Sequence, residues 1–461
     1  MNEERILNIS GNPKAEEFNR LYIIFISIIA TMGGFMFGFE LGVITGVIPF
    51  IQIQYSLEGF ALGWVVAIFE LGCMSGALLI SMIADRIGRK KSLQLTALSF
   101  LITTLGIVLA KDTFDLALWR FFQGAGVGAA SVLSPMYIAE IAPGKMRGKM
   151  VSLNQLMIIL GILLASVVCF YFGDINKPEN WRLMFGFAFI PSAAFIAMLF
   201  FIPESPRWLM KKKSRDAAER ILKTIGNQEF VERELTGIEN SIRLNSKQGT
   251  LMDLFDKRIA PVLFIGCGLA VLQQFCGSNN ITAYLQVIFL KANINLEDGL
   301  LNAVFVGLVF FLFTILSIFL IDLVGRKKLL FIGTLFMSFF LFMLSWSFSN
   351  DLVDGRLVFF FVMGFIATYA FTLAPVTWVV LSEIFPNYIR VKALSLASAL
   401  LWLSCFIVVL ISPYLLKVSP SVNFIIFGFF NLIGTYFVWR YVPETKGKSL
   451  EEIENIILKK S

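Results

Sequence analysis

Histidine is absent from the 461-residue sequence, and charged residues make up only 15% of it, against about 25% in a soluble domain. The first absence removes imidazole metal sites and histidine proton relays. The second removes an ordinary water-facing surface. Cysteine is scarce as well: Cys73, Cys169, Cys267, Cys276 and Cys405 all fall in apolar runs with no paired spacing. They suit neither a disulfide framework nor a thiolate metal site and read as small packing residues. The sequence has no phosphate-binding glycine loop, no metal-ligand cluster and no nucleophile beside a base, which argues against an enzyme and against a cofactor. A cleavable leader is not expected, because the first twenty residues are polar and the apolar run after them is too long for a signal-peptide core.

What fills the sequence is hydrophobic residues, 57% of the total, with a mean hydropathy of +0.77. A membrane helix needs about 20 mostly apolar residues, and such stretches recur from Leu21 to Tyr441. They predict twelve spans, at 21–47, 61–83, 93–110, 114–140, 150–172, 183–202, 259–290, 300–321, 328–348, 357–382, 393–416 and 422–440. Continuous runs of this kind do not fit the alternating strands of an outer-membrane barrel. About 32 of the 39 Lys and Arg residues fall on the side of the termini and about six on the other. Basic residues accumulate in cytoplasmic loops, so both termini are expected in the cytoplasm, with the chain in an inner or plasma membrane. The net charge of +7 then reflects topology, and a nucleic acid partner is not expected.

The sequence also repeats itself. ADRIGRKKSL at 84–93 matches IDLVGRKKLL at 321–330, EIAPGKMR at 140–147 matches EIFPNYIR at 383–390, and PES at 203–205 matches PET at 443–445. The three shifts, 237, 243 and 240 residues, keep one order. The expected fold is an all-α membrane protein of two parallel six-helix halves, 1–203 and 259–441, joined by a cytoplasmic helical linker at 204–258 and followed by a tail at 442–461. Such parallel repeats describe the major facilitator architecture, where the substrate site lies near the midplane and rocking of the halves exposes it to each side in turn. Trp208, Leu209, Ile221, Leu222 and Ile225 give the linker an apolar helical face. EEIENIILKK at 451–460 predicts one more short amphipathic helix.

The combination of DRIGRKK (85–91), PESPRW (203–208), QQFCGSN (273–279) and PETKG (443–447) covers nearly the whole chain and resembles the sugar porter family of major facilitator transporters. The resemblance implies a lipid-embedded carrier, working as a monomer, for a monosaccharide or related polyol. At the cytoplasmic ends acids accompany bases: Asp85 with Arg89, Glu140 with Arg147, Asp322 with Arg326, and Glu383 with Arg390. The resemblance implies that these charges form a gate, pairing across the two halves when the cytoplasmic side is closed. Exposed pairs are worth about 0–1 kcal/mol each, enough to bias a balanced equilibrium.

In the seventh span Gln273, Gln274 and Asn279 set amides into an apolar helix, with Gly277 permitting an irregular backbone. An amide gives and accepts hydrogen bonds, which suits a neutral polyhydroxylated ligand. By the resemblance Phe37, Gln155, Trp378 and Trp402 join them around the sugar, an indole face packing on the C–H face of the ring. Family members often have Tyr where Ala283 stands, Asn where Phe310 stands, an amide where Leu401 stands and Gly where Ala374 stands, while the place of Ile162 varies between Gln and Ile. The lost polar contacts leave hexoses, pentoses and cyclitols all open.

Within the first span, FGFELGVITG at 37–46 holds Glu40 among glycines that read as close-packing positions. A charge at a helix centre costs about 2.5–3.5 kcal/mol on insertion scales, so Glu40 should face a cavity or a partner. Arg120, in LALWRFFQGAGVG, is the one basic residue well inside the fourth span, at a depth from which contact is possible. Proton-coupled sugar porters carry Asp and Arg at these places and facilitative members tend to carry Asn at the acidic one, so the resemblance implies proton symport. Desolvation favours a neutral carboxyl and a guanidinium favours an ionised one, so moving the pair apart would switch proton binding. A permanent ion pair that only fixes two helices is the competing reading, and a facilitative uniporter or a sugar sensor of the same fold are the other functions left open. Glu70, in the second span, has no role in this reading.

Overall fold

Hydrocarbon offers a backbone no hydrogen bonds, so apolar runs of this length must satisfy their own, and helices do so within each segment. A computed structural model describes residues 18–244, 259–349, 353–386 and 389–446. The expected tail helix at 451–460 and the last part of the linker lie outside them. Among the described residues twelve helices are long and apolar enough to cross a membrane: Arg20–Tyr55, Gly59–Ile87, Arg89–Val108, Thr113–Ile141, Met146–Phe172, Pro178–Met198, Ala260–Ala283, Leu296–Ile321, Arg326–Phe348, Gly355–Ile384, Lys392–Val418 and Pro420–Arg440. The chain is thus an all-α integral membrane protein, and β pairing among the described residues is limited to a single bridge between Phe18 and Gly226.

Each expected span is present with shifted ends. The first departs most, running through Pro49 to Tyr55 and ending where Ser56 and Gly59 take φ of 51° and 52°. The seventh breaks at Gly277, whose φ of 90° separates helices Ala260–Phe275 and Ser278–Ala283 and would strain a residue with a Cβ. The tenth breaks at Thr372, between Gly355–Phe371 and Leu373–Ile384. The first and fifth helices meet backbone to backbone at Gly38, where a Cβ would collide with the Ile158 carbonyl.

The linker forms helices Pro206–Lys212, Arg215–Ile225 and Gln228–Leu244. Ser205 and Ser214 cap the first two by accepting from the Trp208 and Ala217 amides. Trp208, Leu209, Leu222 and Ile225 are buried in the cluster formed by the linker-side ends of the first-half helices.

The two halves touch on the face away from the linker. There Lys417 pairs with Glu58, the Phe60 and Tyr414 rings stack at 4.7 Å, and Trp64 meets Phe406 edge-on at 6.2 Å. Deeper in, Thr45 Oγ1 donates to the Thr282 carbonyl at 2.8 Å. Between the halves a cavity of about 1140 Å³ begins in the middle of the bundle and extends to Lys149 and Arg326 at the linker face. The chain is closed on one face and open on the other.

Candidate functional site

The repeated motifs meet in space at the linker face, once in each half. In the first half Arg89 pairs with Asp85 at 2.9 Å and with Glu140 at 3.0 Å, and Glu140 also accepts from the Ser205 hydroxyl. Glu204 accepts from the backbone amides of Arg89 and Lys90 at 2.8 and 3.1 Å, placing an anion on the N-terminus of the third span. In the second half Arg326 pairs with Glu383 at 3.1 Å, and Glu444 accepts from the amides of Arg326 and Lys327 at 2.9 and 3.2 Å.

Two expected pairings are corrected. Glu140 is partnered by Arg89 instead of Arg147, which is exposed on the first turn after the Pro143 break. Glu383 is partnered by Arg326, while Arg390 Nε donates to the Phe385 carbonyl at 3.0 Å. Proximity in sequence misled here: the break between two helices aims neighbouring side chains apart, and the third and ninth spans bring their arginines alongside from elsewhere. The Asp322 side chain lies outside the described residues. Each of these ion pairs joins groups of one half, so none crosses the divide in this open arrangement. Glu204 and Glu444 were missed, although the parallel between PES with GRKK and PET with GRKK was a usable signal.

The amide cluster lines the cavity, as do Phe37, Gln155, Trp378 and Trp402. The irregular backbone after Gly277 lets Asn279 turn back on the preceding helix, where its Nδ2 donates to Gln274 Oε1 and lies 2.9 Å from Cys405 Sγ. Gln273 donates weakly to the Leu373 and Ala374 carbonyls at the start of the helix after the tenth-span break, and its buried Oε1 has no partner. Trp402 is buried with its ring 5.9 Å from that of Phe37, so one aromatic from each half forms a common wall. Trp378 leaves 42% of its surface exposed. Ala283, Phe310, Leu401, Ala374 and Ile162 line the same cavity, and the Phe310 ring packs on Tyr369 at 5.9 Å. The resulting wall mixes hydrogen-bonding groups with carbon, Thr314 and Ser317 following Phe310 along the eighth span.

Beside this cavity stands the buried charge. Arg120 Nη1 lies 3.9 Å from Glu40 Oε2, with 2% and 0% of the two side chains exposed. The same Nη1 donates to Gln123 Oε1 at 2.8 Å, and the guanidinium carbon lies 4.2 Å from the centre of the Phe69 ring. Neither Glu40 oxygen has a hydrogen-bond partner. Glu70 and Arg120 line the cavity, and Cys405, expected as mere packing, contacts both Glu70 and Asn279. Nothing in the cysteine spacing could have placed it there.

A family profile described as "Sugar (and other) transporter" matches residues 26–457. The arabinose-proton symporter of Bacillus subtilis is 36% identical over 453 residues, covering 97% of each chain. The D-xylose-proton symporter of Escherichia coli K12 is 35% identical over 476 residues, covering 95% of this chain and 96% of the relative. Among solved structures, the inward open conformation of the xylose transporter XylE from E. coli superposes with a TM-score of 0.83 at 34% identity, covering 94% of this chain and all of that one. XylE bound to 6-bromo-6-deoxy-D-glucose superposes less closely, at 0.79 and 33% identity, covering 95% of this chain and 99% of that one. On this similarity, which runs from end to end of the described bundle, the chain belongs to the sugar porter family of the major facilitator superfamily.

Proposed function

We propose that this chain is a secondary transporter that carries a neutral monosaccharide or related polyol together with a proton by alternating access. The observation that carries the reading is the juxtaposition of the Glu40–Arg120 pair with an amide-lined cavity between the halves. Gln273, Gln274, Asn279, Gln155, Phe37, Trp378 and Trp402 hold the sugar, and Glu40 takes the proton. The names of the relatives, symporters of arabinose and xylose, support the same reaction.

The halves divide at 1–203 and 259–441, with the linker and both termini in the cytoplasm of a cell whose inner membrane holds the protein. The described conformation is then inward-open, with Glu58 and Lys417 on the outer face. In it the basic ends of the halves stand apart, and the charge clusters around Arg89 and Arg326 form the cytoplasmic gate when the halves rock together. One chain supplies the whole cavity, so a monomer in its bilayer is the transport unit.

Counterflow in proteoliposomes against a panel of hexoses, pentoses and inositols tests the substrate class. A pH gradient then tests coupling: uptake of the preferred sugar should rise above its equilibrium level. Exchange without uphill uptake would make the chain a uniporter.

A further inference from the structure

We propose that Glu70 is a second carboxyl of the proton site, sharing Arg120 with Glu40 and passing the proton between that pair and the cavity. The inference rests on the symport reading above. Its starting point is access: Glu40 has 0% of its side chain exposed and lies behind the cavity wall, whereas Glu70 and Arg120 form part of that wall. A proton on Glu40 therefore needs a group at the wall to reach water.

Glu70 has the geometry for this. It retains 5% of its surface, its Oε2 has no hydrogen-bond partner, and the Cys405 thiol contacts its carboxyl. It precedes Cys73 by one helical turn and follows Phe69, whose ring carries the Arg120 guanidinium. Arg120 pairs with Glu40 at 3.9 Å, lines the cavity with Glu70 and sits 4.2 Å from the ring of the neighbouring Phe69, so one cation stands by two buried carboxyls and interacts electrostatically with both. With both ionised, a net negative charge would be left in a desolvated wall, which is costly. The neutral centre holds one proton on the pair. In one arrangement Glu40 carries it and Arg120 compensates Glu70. In the other Glu70 carries it and Arg120 compensates Glu40, with the same atoms and the same total charge. Only the second presents the proton to the cavity, where water takes it from Glu70; both carboxyls are then ionised, and the cost of that state is lowered because the carboxylate left on Glu70 faces the water-filled cavity.

The sugar site controls this exit. Around Glu70 the ionisable groups are Arg120 from the fourth span, Glu40 from the first, Cys405 from the eleventh, Tyr284 beyond the seventh-span break and Cys73 on its own helix. Cys405 links Glu70 to Asn279, and Asn279 to Gln274. A sugar seated on those amides covers the Glu70 face of the cavity, so the proton leaves after the sugar does.

The test compares Glu70→Gln and Glu70→Asp with wild type in proteoliposomes, in proton-driven uptake and in counterflow at equal pH. Glu70→Gln should lose about 100-fold of the proton-driven initial rate, as expected on removing a positioned proton-transfer group, while counterflow is retained and the pH dependence of uptake flattens. Glu70→Asp should restore proton-driven uptake. Wild-type rates in both assays for Glu70→Gln would overturn the proposal. Equal loss in both assays by both variants, with monodisperse protein, would overturn it too, making Glu70 a sugar contact or a packing residue. A wild type that exchanges sugar without any proton dependence removes the symport reading itself, which separates the two failures.

Discussion

Replacing Glu40 by Gln keeps the shape of the side chain and removes its charge and its proton. A pH step of one unit across the membrane is worth about 1.4 kcal/mol, which at one proton per sugar supports about a tenfold concentration ratio. Without the titrating carboxyl the ratio should fall to about one, while counterflow continues. The structure also bounds the damage to stability. Stripping a buried charge of its partner costs about 3–5 kcal/mol, but Arg120 keeps Gln123 Oε1 at 2.8 Å, the Phe69 ring at 4.2 Å and the charge of Glu70. The loss should sit at the low end, and the variant should fold.

Glu40→Asp sharpens the test. Shortening the side chain by one methylene retracts the carboxyl by about 1.5 Å, from a separation of 3.9 Å. At an effective dielectric of about 20 the attraction to Arg120 then falls from about 4 to about 3 kcal/mol. A steady-state ratio depends on stoichiometry and not on affinity, so Glu40→Asp should reach the wild-type ratio, about fivefold more slowly. Radiolabelled sugar uptake under an imposed pH gradient measures both quantities. Full accumulation by Glu40→Gln would refute the assignment of the proton to this residue.

Three further outcomes follow from the described contacts. Lys417 holds the Glu58 carboxyl below its ordinary value of 4.5, chiefly through their hydrogen bond. This contribution to closure of the face away from the linker is therefore fully present above that value and is lost as pH falls through the lowered one. Glu58→Gln should remove the acid-induced part of the opening of that face, as read by labelling of a cysteine placed near Phe60. Glu204→Ala removes an anion from the third-span N-terminus, and thermal unfolding in detergent should show a loss of about 1–2 kcal/mol. Phe310→Asn adds one hydrogen-bonding group to the cavity wall, and in competition assays should tighten binding of a fully hydroxylated hexose about threefold to tenfold; unchanged competition would place Phe310 outside the sugar's reach.

How much of this was legible depends on the range of the physics involved. Span number and the duplication rest on composition and repetition, which a one-dimensional string records completely. The partnership of Glu40 with Arg120 was legible for a related reason: few charges lie inside the spans, so insertion cost leaves few candidates. The charge clusters at the linker face were harder, because bases and acids are plentiful there and helix geometry decides among them. Glu140 is closer in sequence to Arg147 than to Arg89, yet the Pro143 break turns the first away and the start of the third span delivers the second. Cys405 was not legible at all. Its contacts join helices from different halves, and only the packing of the second span against the eleventh turns a small apolar residue into a link between Glu70 and Asn279. The same packing explains how an acid can persist in the second span: it is flanked by a shared guanidinium, a thiol and a cavity instead of lipid, so the insertion cost that made Glu70 puzzling is met by the interface between the halves. That interface opens and closes during transport, and a carboxyl whose surroundings change with it is placed to take part in the cycle.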